Sequence, residues 1–458
     1  MAGLAAAGFA LALPASATQG KQVAAATSHG PISPTPAAST PQLATSRTFE
    51  QVRQLVQCGT TMFAVGTFTS IRRLGTVYTR NNVFSFSATA PYRMTSWAPN
   101  VNGQVNSIAF NQGNCAEAFI GGSFTSVNGT AVKNIAKIST TTGAVIPAFG
   151  HNANGKVETL ASYKTHLLVG GYYKSINGSA ADPYMTSLNP ATGKNDGFIH
   201  LGISGTYQYC GPSQCAADNP TRVYNQQLSH SRTLDLVEGD FTSAGGLPRQ
   251  QIFMLNLATT PATVTGWTSP EWDGSDPSQP YQCNYSEAFY LRAASWSPDD
   301  STVYIATTGY HPYNQPAGSA PRTGLCDVAA AFPATKTSVH HKWVNYTGCD
   351  SLYSTAASSS TAFFGGHERW SMNPSGCDKA GPGAVADSGM EGLTATTGAV
   401  LRNSGGTGLY HRSRGKGADD MLMTNAGLWI ASDNFQNNTM CGGATAHAGI
   451  CFLPFQPR

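Results

Sequence analysis

The chain has 458 residues with 27 Lys or Arg, 24 Asp or Glu and a net charge of +3. Charged residues make up only 11%, against about a quarter in an average soluble domain, while glycine is in excess at 49. This balance excludes a charged coiled coil and supplies no basic stripe, so no nucleic-acid partner is expected.

Residues 1–17 read MAGLAAAGFALALPASA, a short apolar run ending in Ala15-Ser16-Ala17. That ending is the small-residue cleavage pattern of a secretory signal peptide. No Lys or Arg precedes the run, so the true start is expected upstream of Met1. Residues 18–46 are rich in Ala, Ser, Thr and Pro (Pro31, Pro34, Pro36, Pro41) and read as a mobile linker. Residues 47–458 then form a single domain with no run long enough for a membrane span. The expected location is extracellular, and the expected state is a monomer.

Within that domain the strongest signal is repetition. VGTFTSI (Val65–Ile71), GGSFTSVNGT (Gly121–Thr130), GGYYKSINGS (Gly170–Ser179) and EGDFTSAGG (Glu238–Gly246) share one pattern. Each follows a short β-rich run and precedes another, then a turn (Thr142-Gly143, Thr192-Gly193 in two of them). Three fainter copies follow at Val303–His311, Ala362–Trp370 and Leu428–Phe435. Short strands repeated in this way hide their edges by radial arrangement. The expected fold is all-β, a seven-bladed β-propeller of four-stranded blades. The last unit supplies only three strands, Asp420–Asn425, Gly427–Asp433 and Ile450–Phe455. Thr45–Glu50 is expected to supply the fourth, so that the N-terminal segment closes the ring.

The stretch GGSFTSVNGTAVKNIAKISTTTGAVIPAF resembles the delta-60 repeat, a kelch-like propeller repeat of secreted bacterial proteins. GGHERWSMNPSGCDKAGPGAVADSGMEGL, followed by GLWIASDN, is similar to the C-terminal half of a group of actinobacterial secreted propellers. The resemblance spans roughly residues 50–455. It implies fold and compartment; it implies no activity, because propellers host unrelated chemistries.

Ten cysteines behind a signal peptide point to disulfides. Placed on propeller topology, they pair as Cys58–Cys115, Cys210–Cys215, Cys283–Cys326, Cys349–Cys377 and Cys441–Cys451. There is no C-x2-C pair, and neither a metal site nor a cofactor is expected. The same topology gathers long loops on one face of blades four to seven, where binding residues concentrate.

His367-Glu368-Arg369-Trp370 is the densest functional cluster, with His367, Glu368 and Arg369 as catalytic candidates. Arg412, Arg414, Asp350, Tyr310 and His311 are expected on the same face, with Trp370 as a stacking platform. Together they suit an acidic sugar, since guanidinium groups neutralise a carboxylate. Equally, Glu368 and Arg369 could be an ion pair locking adjacent blades, with Trp370 as packing. His340 and His341 are expected on a strand, pointing to opposite faces and unable to share an ion. No G-x-S-x-G, H-E-x-x-H or Walker motif occurs, which weighs against an enzyme. The leading expectation is a secreted binder of a glycan, or of an envelope or protein partner. A polysaccharide lyase or glycoside hydrolase around His367–Trp370 is the alternative, and a structural envelope protein the third.

Overall fold

Runs such as QVNSIAF (Gln104–Phe110) and EAFIGGS (Glu117–Ser123) are short, rich in β-branched and aromatic residues, and broken by turn residues. Such runs favour strands over helices. A computed structural model describes residues 30–44, 48–207, 220–272, 289–309, 324–412, 414–415, 417–435 and 447–457. Among the described residues the strands pair antiparallel, there is no α-helix, and no helix is long and apolar enough to cross a membrane.

Seven sheets follow one another along the described chain, and an eighth, of short strands, joins Gln42–Leu43, Ser70–Arg73 and Thr76–Thr79. Their first strands are Gln51–Cys58, Gln104–Phe110, Lys156–Tyr163, Arg222–Leu228, Leu291–Trp296, Leu352–Ala357 and Asp420–Thr424, for sheets one to seven. Sheets four and five have four strands and the others three. The expected fourth strand is reduced elsewhere to single bridges: Phe86↔Met94, Ile138↔Val145, Leu188↔Asn195 and Leu393↔Val400. Pro147 lies just after the second of these bridges. Proline cannot donate to a ladder, so pairing stops there.

The core is divided among the sheets. Seven apolar clusters occur among the described residues, each shared by two consecutive sheets. Val56 and Phe63 of sheet one meet Val105 and Ile120 of sheet two. The seventh sheet meets the first, with Leu422, Trp429 and Phe452 packed on Val52, Leu55 and Phe84. Hydrogen bonds tie the same neighbours. Gln54 Oε1 accepts from Ile108 N at 2.7 Å, and Ser107 Oγ from Leu160 N at 3.0 Å. Asp420 Oδ2 accepts from Leu55 N at 3.0 Å.

Six first strands carry a bulge at the same place, skipping Arg53, Asn106, Glu158, Tyr224, Arg292 and Tyr353. The second strand opposite presents a glycine in five of these sheets. A Cβ at Gly66, Gly122, Gly171, Gly239 or Gly366 would lie 2.0–2.3 Å from a first-strand carbonyl oxygen. The preceding Gly121 instead packs against the next sheet, where a Cβ would meet Val157 Cγ1 at 2.4 Å.

The N-terminal segment departs from expectation. Residues 31–44 run along the last strand and are held rather than mobile; the expected segment Thr45–Glu50 lies partly outside the described residues. Ser33 N and Ala37 N donate to Pro454 O and Phe452 O, both at 2.8 Å, and Leu43 N donates to Ala448 O at 3.0 Å. Ile32 and Leu43 are 2% and 3% exposed, so the segment buries enough apolar surface to offset its ordering.

Cys58 is bonded to Cys115 and Cys349 to Cys377, as expected. Cys326 and Cys451 are also disulfide-bonded. The expected pairs 210–215, 283–326 and 441–451 involve cysteines outside the described residues.

Gly122→Ala should cost about 1–3 kcal/mol, as overpacking against a rigid backbone does. Urea unfolding measures this; an unchanged midpoint would contradict the contact. A chain beginning at Thr48 should melt below one beginning at Gly30, because Ile32 and Leu43 lose their burial, roughly 1.5–3 kcal/mol each. Paired thermal melts test it.

Candidate functional site

A bulge leaves one residue outside the ladder and re-aims its side chain. Here the six bulged side chains, Arg53, Asn106, Glu158, Tyr224, Arg292 and Tyr353, line one cavity of about 180 Å3 together with Asp419, Lys156 and Arg222. Asp419 directly precedes the first strand of sheet seven. All seven sheets therefore contribute to a single site. A second cavity of about 560 Å3 shares Arg53, Arg292, Tyr353 and Asp419, and adds Gln51, His367, Arg414 and Phe435. The two form a continuous funnel.

Four cations, Arg53, Lys156, Arg222 and Arg292, face two acids, Glu158 and Asp419, in the inner part. Lys156 Nζ lies 3.2 Å from Glu158 Oε1, and Asn106 Nδ2 donates to Glu158 Oε2 at 2.9 Å. The guanidinium groups of Arg222 and Arg292 sit 5.6 and 5.5 Å from the Tyr224 ring centre, a cation–π arrangement. The Tyr224 hydroxyl donates to Leu291 O, and burial pushes its pKa well up. Burial raises Asp419 to about 7, opposed by Arg53. Gln51 Nε2 donates to Asp419 Oδ2. Burial lowers Arg53, opposed by Asp419 and Glu158.

At the wider end Tyr353 Oη lies 2.6 Å from His367 Nδ1. Burial lowers the His367 pKa, more than Asp350 raises it. Burial raises that of Tyr353. Asp350, 1% exposed, is the anchor beneath them. It accepts from Arg369 Nε and Nη2 and from Arg414 Nη2, each at 2.7 Å. Arg414 Nε also donates to His367 O. His367 Nε2 is 3.9 Å from Asp350 Oδ1.

Of the residues expected from sequence, the structure thus brings together His367, Arg414 and Asp350. Arg369 is an ion-pairing group, bidentate on Asp350 and bonded to Asp378, not to Glu368. Glu368 is fully buried, with both carboxylate oxygens lacking a hydrogen-bond partner, and lines neither cavity. Trp370 pairs with Ala386 in a short hairpin and does not line the funnel. Arg412 donates to Pro34 O and His411 O, so it fastens the N-terminal segment. Tyr310 and His311 lie outside the described residues. Trp272 is core, packed on Phe332. His340 and His341 are not on a strand: both turn Nδ1 to Glu271 Oε1, at 3.2 and 2.8 Å. Among the described residues, no group of three or more His, Cys, Asp or Glu is arranged to hold a metal ion.

The bulged residues were missed by reading motifs alone. Their signal is present: QVRQ, QVNS, KVET, RVYN, YLRA and SLYS align on Val or Leu, and the next position is polar or aromatic each time.

Beside the funnel, Glu368, Asp387 and Glu391 form a buried acidic cluster. The Ser371 hydroxyl faces both Asp387 Oδ2, at 3.0 Å, and Glu391 Oε2. One hydroxyl proton cannot serve both, so one carboxyl keeps its own. Burial raises Glu391 from 4.5 to about 8, and Asp235 from 3.8 to about 8. The folded state thus binds more protons than the unfolded one between those limits. Their stabilisation is complete below the ordinary carboxyl range and is lost as pH rises toward about 8. Every tenfold gain in proton affinity on folding corresponds to about 1.4 kcal/mol. Thermal melts should therefore fall between mildly acidic and mildly alkaline pH, and Glu391→Gln should flatten the fall. An equally steep fall in the variant would remove Glu391 as a cause.

No protein-family model matches the chain, and no curated protein matches it. Among solved structures it is similar to the computationally designed Ika8 protein, with a TM-score of 0.41 and 8% identity over 90% of this chain and 98% of that one.

Proposed function

We propose that this chain is a secreted seven-bladed β-propeller that binds an acidic glycan in the funnel. The propeller reading is supported by the order of packing. Each sheet shares an apolar cluster with the next, and the seventh shares one with the first. The Asp420–Leu55 hydrogen bond crosses that last junction. Residues 31–44 then act as the strap that joins the two ends. The delta-60-like repeats favour the same arrangement. Secretion is supported by the signal-like residues 1–17 and by the disulfides.

One observation carries the ligand class. Arg53, Lys156, Arg222, Arg292 and Arg414 converge on a concave site where Glu158 and Asp419 are the opposing acids. A surplus of guanidinium groups in a recess recognises carboxylate or sulfate. Gln51, Gln54, Asn106 and Asn225 add the amides that suit a polyhydroxylated ligand. The binding surface therefore moves from the loops of blades four to seven to the funnel lined by all seven sheets.

Thermal shift against acidic and neutral polysaccharides tests this. Polyuronates or sulfated glycans should raise the melting temperature and neutral glucans should not. Arg53→Ala or Arg292→Ala should each weaken binding by about 10-fold or more, the loss of a charge-assisted hydrogen bond. Equal shifts with neutral glucans would overturn the ligand class. Silence across the whole panel would favour a structural role in the envelope.

A further inference from the structure

The funnel holds more than cations. It also holds a hydroxyl, that of Tyr353, and a carboxylate, that of Asp419, both lining the same cavities. The backbone N–H of Ser351 points at His367 Nε2 at 3.4 Å. A backbone N–H can only donate, so Nε2 is the accepting nitrogen of the neutral ring. The single ring proton is then on Nδ1, which donates to Tyr353 Oη at 2.6 Å. With Oη accepting from the imidazole, the proton of Tyr353 turns away from the ring. Tyr353 and Asp419 line the same cavity, together with Arg53, Arg292 and Arg414.

We propose that the funnel cleaves its ligand by β-elimination, with Asp419 as base and Tyr353 as acid on a 4-linked hexuronate polysaccharide. This rests on the acidic-glycan reading above. Arg53 and Arg292 bind the C6 carboxylate, which acidifies the neighbouring C5 proton. The Asp419 carboxylate takes that proton. The C5–H electron pair becomes the C4=C5 double bond, and the C4–O4 bond breaks with its pair on O4. Tyr353 gives its hydroxyl proton to O4, releasing the shortened chain. The resulting phenolate accepts the His367 Nδ1–H bond and faces the positive charge of Arg292. The proton on Asp419 returns to Tyr353 through solvent. The net change moves one proton from C5 to O4, with no oxidant and no water consumed. Burial supports the assignment by holding Asp419 at about 7, where a carboxylate is both ionised in part and basic enough to act. His367 is a positioning residue: it fixes the direction of the Tyr353 proton.

The experiment uses the full chain and a panel of 4-linked polyuronates, read by thermal shift and by ultraviolet absorbance of unsaturated uronate. A polyuronate that binds should yield absorbing oligosaccharides, each lighter by one water than the matching hydrolysis product by mass spectrometry. Tyr353→Phe and Asp419→Asn should each lower turnover by about 100-fold or more while the ligand-induced shift persists. A polyuronate that binds without unsaturated product overturns elimination and leaves binding intact. Products of hydrolytic mass overturn it as well, whether or not either variant folds. Unchanged rates in both variants overturn the assignment of acid and base. Failure of every polyuronate to bind overturns elimination, and a shift with sulfated glycans alone leaves the binding reading intact.

Discussion

The contact on which the structure depends is the approach of a second-strand glycine to a first-strand carbonyl. At Gly66, Gly122, Gly171, Gly239 and Gly366 there is no room for a Cβ. The close approach lets the first strand take an extra residue without breaking the ladder on either side. The strand resumes its register one residue later, so its apolar side chains still reach the neighbouring sheet. The extra residue is left with nowhere to go but the cavity. One backbone device, repeated, therefore produces both the packed interfaces and the polar site.

The polar groups fall into two populations. Those of the funnel are partly open, and its cations outnumber the acids that face them. Those around Asp350 are closed, with a single buried carboxylate carrying two guanidinium groups. Such an anchor contributes little stability beyond its own desolvation. Its consequence is positional, because Arg414 reaches both Asp350 and the His367 carbonyl and so ties the histidine to sheet seven's approach. The acidic cluster at Glu368, Asp387 and Glu391 belongs to neither population. It is a core element whose carboxyl pKa values burial raises, and Glu368 lines neither cavity.

Much of the architecture could be read from the sequence because it repeats. The glycine pairs, the Thr-Gly turns and the aromatic after the second strand recur at corresponding places, the glycines inside the second strand and the other two beyond strand ends. The reduction of the fourth strand to a single bridge such as Ile138↔Val145 could not be read, because one bridge leaves no pattern in the sequence to mark it. The N-terminal segment was hidden by its composition: Pro31–Pro41 looks like a linker, and only the burial of Ile32 and Leu43 shows otherwise. The site was legible in part. Dense motifs drew attention to His367–Trp370, where charge clusters within one loop. The funnel residues are scattered from Arg53 to Asp419, each alone in its own repeat. Proximity in space, not in sequence, makes them a group.

The bulged residue is exempt from two demands made on its neighbours. It is skipped in the strand register, and its side chain belongs to none of the apolar clusters. Substitution there leaves the glycine contact, the register and the apolar clusters untouched. The scaffold thus presents its variable positions on separate repeats, each free to drift without unsettling the fold. A lineage carrying this architecture can exchange one ligand for another by point changes at these positions alone. Recognition and foldability are inherited on different residues.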